Sequence, residues 1–234
     1  MLNRPLDILT QFPVRRTNAQ KQAFRDAVQA YFERMDYSVS VEHGRFVSQN
    51  LVIGDPEKAK YLVTAHYDTC TWLSDDTSGV VTLLEIARTL PENQRHKVCF
   101  VLFDLGSNAC RRGAHKEAAE RQILLELDCV GDGDHIRLIP TKKLKKDRKR
   151  LTSLYKACGY VGKKTILVHE KGLGLFPLPP KNFPYGIVIC ALRKNKFCYY
   201  RNRIHTKKET VLDETNVNIL RAALTSFICC DAVN

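Results

Sequence analysis

The chain has 234 residues, 44% hydrophobic and 26% charged, with 37 Lys and Arg against 25 Asp and Glu for a formal charge of +12. That length and balance exclude a largely disordered or fibrous chain and suit one domain with a full core over residues 1–234. No window approaches the roughly 20 apolar residues that cross a bilayer. The start MLNRPLDILTQF lacks the cationic head and apolar run of a secretion signal. A soluble, cytoplasmic protein with no membrane partner is therefore expected.

Residues 17–35, TNAQKQAFRDAVQAYFERM, offer Thr17 or Asn18 as a cap and set Phe24, Ala27, Val28, Tyr31 and Met35 along one side of a helix. Strand patterns follow at 38–43, 46–53 and 61–64. A helix is expected from about 79 to 90, then a buried strand KVCFVLF, a helix around AHKEAAER and a strand QILLELDCV. HIRLI, TILV, GIVICAL and FCYYRNRI read as later strands. The last helix lies in DETNVNILRAALTSFICC, with Val217, Leu220, Ala223, Leu224, Phe227 and Ile228 turned inward. Helices alternating with apolar strands predict an α/β three-layer sandwich, with a mixed, mainly parallel central sheet flanked by helices. The stretch GLGLFPLPPKNFP reads as a surface loop near a sheet end.

Nine cysteines, an odd number without CxxC spacing, several of them inside apolar runs, point to reduced thiols. The densest basic block is KKLKKDRKR, residues 142–150. With Leu144, Leu151, Leu154 and Tyr155 near helical spacing, it predicts one helix with an apolar stripe and a basic outer face. A solvated surface is the favoured reading of that face. Binding of nucleic acid or another polyanion is the lesser one, since no RNA-binding signature or zinc-finger spacing accompanies the block.

Chemistry concentrates in AHYDTCTWLSDDTSGVV, residues 65–81. In HYD, His66 and Asp68 share one side of an extended segment, where the carboxylate can fix the imidazole tautomer. Asp75, Asp76 and Ser78 stand just ahead of the expected helix, where such side chains cap backbone N–H groups. Asp128 closes an apolar strand and His205 lies in RNRIHTKKET. Nitrogen and oxygen donors of this mix suit zinc or a similar divalent ion.

Four stretches, NLVIGDPEKAKYLVTAHYDT, DDTSGVVTLLEIARTL, LELDCVGDGD and RIHTKKETVLDETNV, resemble in order those of the zinc-dependent aminopeptidases of the bacterial leucyl aminopeptidase type, from about residue 50 onward. The resemblance implies a zinc-exopeptidase-like fold and a metallo-aminopeptidase-like hydrolase, acting on the N-terminal bond of a peptide or other small substrate with a free amino group. It implies a zinc cofactor of one or two ions: His66 and Asp128 on one, His205 on the second, Asp75 bridging. Asp68 would orient His66, and the Asp75–Asp76 peptide would be the candidate for a cis bond.

The family's strand after the first helix ends in two glutamates, one a general base and the other a ligand. Here Ser107 and Asn108 fall at those places in FDLGSNACRRGAH. A serine hydroxyl does not take a proton near neutral pH, and Asn108 offers only a weak amide ligand. General acid–base catalysis is typically worth about 10²–10⁴-fold, so impaired activity is expected, with fewer metals or none. The alternative is a catalytically inactive pseudo-peptidase, a peptide-binding or interaction module. Asp104 is the nearest acid that could substitute; Glu117 and Glu120 fall in the next expected helix, facing water, and His115 reads as a surface or capping histidine.

Overall fold

The computed structural model describes residues 4–43, 48–69, 75–104, 122–161, 166–168, 183–194, 199–200, 212 and 214–230. The N-terminal segment begins with α1 (Pro5–Gln11), whose first residue is a proline suited to an opening turn. Next comes α2 (Asn18–Glu33). Its cap is Thr17, whose Oγ1 accepts the Gln20 N–H at 3.3 Å while Gln20 Oε1 accepts the Thr17 N–H at 3.0 Å. This reciprocal pair satisfies two N–H groups that the helix itself cannot.

Strands β1 (Val39–His43), β2 (Gln49–Ile53) and β3 (Tyr61–His66) precede α3 (Asp75–Thr89). A short 3-10 turn, Glu92–Lys97, leads to β4 (Val98–Phe103). After it come β5 (Ile123–Leu127), β6 (His135–Pro140), α4 (Lys142–Lys146), α5 (Arg148–Val161), β7 (Ile166–Val168), β8 (Tyr185–Lys194), β9 (Tyr199–Tyr200) and α6 (Glu214–Cys230).

The sheet runs β1-β2-β4-β3-β5-β8-β6-β7, with β9 on β8. The four central strands β4, β3, β5 and β8 are parallel. The pairs β1–β2, β2–β4, β6–β8 and β8–β9 are antiparallel. Helices flank this mixed sheet, as the alternating pattern implies.

Alternation along the strands sorts side chains onto two faces. Tyr61, Val63, Ala65, Ile123, Leu125 and Leu127 join α2, α3 and α6 in the main core. Leu62, Val101 and Leu124 belong to a smaller cluster on the other face. Central strands are buried on both faces, which is why they read as continuous apolar runs.

Two boundaries depart from the sequence reading. Helix α3 starts four residues earlier than expected, so Asp75, Asp76 and Ser78 lie in its first turn rather than ahead of it. The basic block is two helices, not one. Asp147 ends α4, and its carboxylate accepts the Arg150 N–H at 3.2 Å to open α5. An acid able to cap breaks the run despite its helical spacing. Leu144 and Leu154 are buried as expected, whereas Tyr155 is 41% exposed.

The expected helix around AHKEAAER, and most of GLGLFPLPPKNFP and FCYYRNRI, lie outside the described residues. Among the described residues, no helix is long and apolar enough to cross a membrane, and Cys99, Cys129, Cys190, Cys229 and Cys230 form no disulfide.

Candidate functional site

The chain reverses direction in the sheet at β3. It passes through α3 to β4 on one side of β3, then returns to β5 on the other. In open α/β sheets, ligands bind beyond the C-terminal ends of strands at such a switch point. Strands β3 and β5 pair in register from Tyr61↔Ile123 to Thr64↔Glu126. Carried on two residues, that register sets His66 level with Asp128.

The extension is supported on both strands. His66 still pairs with Phe103 of β4, and the Asp128 N–H still donates to Ile189 O of β8 at 3.1 Å. Neighbouring strands lie about 4.8 Å apart, so an imidazole and a carboxylate leave adjacent strand ends on the same face. Burial marks them too. Within 61–69 and 122–130, only His66, Asp68 and Asp128 are half-buried; the other residues are buried.

His66 Nδ1 lies 3.1 Å from the Asp68 carbonyl oxygen and 3.4 Å from a carboxylate oxygen of the same residue. An Nδ1–H donating to Asp68 would leave the ring's lone pair on Nε2, one of the two nitrogens through which an imidazole binds a metal ion. Asp68 is thus within hydrogen-bonding reach of the His66 ring.

Between the two, Tyr67 turns into the main core. Its ring stacks on Phe24 at 5.6 Å, and its hydroxyl donates to Gln49 O at 2.7 Å while accepting from Arg25 Nη1 at 2.6 Å. Burial pushes its pKa up, so the phenol stays protonated and keeps donating.

The Asp-Asp-Thr-Ser-Gly stretch has a structural use that sequence reasoning missed. Ser78 Oγ accepts the Val130 N–H at 2.8 Å, tying the helix to the turn after Asp128. That turn is held by Cys129, at φ 54, whose carbonyl accepts the Ala191 N–H at 2.9 Å. At Gly79 an added Cβ would stand 2.4 Å from Leu127 O. Only glycine lets the first turn of α3 sit so close to the end of β5.

Asp104 is not available to the site. It follows Phe103, so it faces the opposite side of the sheet from His66, buried at 2% exposure, with Lys21 Nζ 2.6 Å from its carboxylate and the Gln49 N–H donating at 3.4 Å. This corrects the expectation that Asp104 stands nearest to replacing the lost glutamates; parity along β4 turns it away. The Asp75–Asp76 pair, the expected place of a cis bond, opens α3.

Ser107, Asn108, Glu117, Glu120, His115 and His205 lie outside the described residues, and Asp75 and Asp76 are described in backbone only. Among the described residues no three His, Cys, Asp or Glu side chains gather at one point. His66 and Asp128 are the two expected ligands whose side chains are described.

This layered sheet is a zinc-dependent exopeptidase fold. Residues 49–223 match the model of peptidase family M28, and the chain belongs to that family, which is typically zinc-dependent. In structure it is similar to a glutaminyl cyclase from Porphyromonas gingivalis, at 16% identity and TM-score 0.74, covering 97% of this chain and 96% of that one. A Zn-dependent exopeptidase from Parabacteroides distasonis matches at 17% identity and TM-score 0.70, covering 96% and 95%. A leucine aminopeptidase precursor from Bacteroides thetaiotaomicron matches at 16% and 0.66, covering 96% and 94%. No curated protein matches the chain in sequence.

Proposed function

We propose that this chain binds zinc at the β3/β5 switch point and acts on the amino ends of peptides, with hydrolysis weakened by the loss of two glutamates. The observation that supports this most is the level placement of His66 and Asp128 at adjacent strand ends, with Asp68 against His66 Nδ1. The donor chemistry fits zinc. His66 through Nε2 and the Asp128 carboxylate would hold one ion; Asp75 and His205 would complete the set. The ion supplies Lewis-acid polarisation and a lowered water pKa.

The residues of the chain then decide the outcome. Asp68 keeps the imidazole in its binding tautomer and Ser78 fixes the Asp128 turn against α3. A base to move the proton is what Ser107 does not provide.

The ion pair of Lys21 with Asp104 favours the second reading, a pseudo-peptidase that binds peptides without cleaving them, because the nearest acid of β4 is already engaged. Zinc uptake measured beside hydrolysis of aminoacyl anilides, with a glutaminyl substrate included because glutaminyl cyclases share the fold, separates the two. Zinc uptake lost in His66→Ala together with slow turnover supports the proposal. Turnover no higher than that of His66→Ala rejects hydrolysis in favour of binding alone, and ordinary peptidase rates reject the impairment.

A further inference from the structure

We infer that Arg15 is a positioning residue: it sets the gap between the exit of β3, which carries His66 and Asp68, and the first turn of α3, which carries Asp75. This deepens the zinc-site proposal and rests on it for one of its two tests. Arg15 is fully buried and lies ahead of the family match.

Its backbone forms an antiparallel bridge with Thr69, its N–H donating to Thr69 O at 3.2 Å and its carbonyl accepting the Thr69 N–H at 3.3 Å. Its guanidinium works in three directions. Nε donates to Tyr67 O, Nη1 to Phe12 O at 2.7 Å and Nη2 to Thr77 Oγ1 at 3.0 Å. The carbon of the fork stands 4.9 Å over the Phe24 ring.

Tyr67 separates His66 from Asp68, and Thr77 follows Asp75 by two residues. One rigid planar group therefore bonds to both segments expected to meet at the ion. Guanidinium donors keep fixed angles, so donation to Tyr67 O and Thr77 Oγ1 together fixes how far the strand exit stands from the helix. A lysine has one nitrogen and cannot span both acceptors in that geometry. Groups bonded directly to metal ligands typically change metal affinity 10–100-fold when altered; Arg15 acts one step further out, on the segments that carry the expected ligands.

The test compares Arg15→Met and Arg15→Lys with Arg95→Ala, a control that removes a different arginine, one donating to Met35 O at 2.6 Å and lying over Tyr37. Amide hydrogen exchange at residues 67, 69 and 77–80 is read without metal, and zinc affinity by competition with a chelating dye. Arg15→Met should speed exchange at those amides at least tenfold and weaken zinc binding by about tenfold or more. Arg15→Lys, which keeps the charge and guards against a variant that fails to fold, should leave zinc binding weakened as well.

Unchanged exchange in the Arg15 variants, or changes at these amides matched by Arg95→Ala, would overturn the inference. Exchange that changes as expected while zinc affinity stays at the wild-type value would overturn it too. If the wild-type protein takes up no zinc sensitive to His66→Ala, the metal reading alone fails, and the exchange measurements decide the case for Arg15.

Discussion

Replacing Gly79 with alanine tests the packing of α3 on β5 directly, because the sign of the effect is opposite to that at an ordinary helical glycine. Alanine in a helix interior is favoured over glycine by about 1 kcal/mol. Here the new methyl would lie 2.4 Å from Leu127 O, 3.1 Å from Leu127 C and 3.3 Å from the Ala65 Cβ. Carbon contacts settle near 3.5–4.0 Å, so α3 must withdraw by about 1 Å.

Overpacking of this kind costs about 1–3 kcal/mol. The obstacle is backbone in a central strand, which cannot swing aside, so the upper end applies. The net loss is then about 2 kcal/mol, and about 4–8 °C in melting temperature at 2–4 °C per kcal/mol for a chain of this size. Thermal melting of Gly79→Ala beside the wild type measures it. A melting temperature equal to or above that of the wild type would refute the close approach of α3 to β5.

Further outcomes follow from the same contacts. Ser78→Ala leaves the buried Val130 N–H without its acceptor and should destabilise by about 1–3 kcal/mol in urea unfolding. Lys21→Met strands the buried Asp104 carboxylate and should cost about 3–5 kcal/mol, whereas Lys21→Met with Asp104→Leu should recover much of the loss; a double variant as unstable as the single one contradicts this.

Burial raises Tyr31 and Tyr37 to about 12. Since the folded pKa exceeds the unfolded one near 10, their stabilising contribution is complete below pH 10 and lost as pH climbs from 10 to 12. Phenolate absorbance for these two residues should appear together with unfolding. Smooth titration of every tyrosine near pH 10 in a still-folded protein would contradict it.

The parts of this fold legible in sequence are those whose signals are local. Apolar runs mark β3, β4, β5 and β8 because each is covered on both faces, and the HYD alternation places His66 and Asp68 on one side of the chain. The start of α3 reads late for an equally local reason: Asp75, Asp76 and Ser78 have the chemistry of a cap, whereas the Val130 N–H that Ser78 accepts lies 52 residues away. The basic block reads as one helix by spacing, whereas Asp147 satisfies the ends of two.

Arg15 and the Lys21–Asp104 pair have no signature at all. Tyr67, Thr77 and Asp104 lie 52 to 83 residues from the cations that bond to them, so the sequence around those cations does not distinguish them from surface charges. The placement of β3 between β4 and β5 is likewise a property of the folded sheet.

That placement uncouples the cradle from the chemistry. Side chains delivered by strand register are held by the whole sheet, for a slip of one residue would turn every apolar side chain of β3 or β5 onto the wrong face. The packing of the core therefore keeps position 66 abreast of position 128 whether or not a cation is held there.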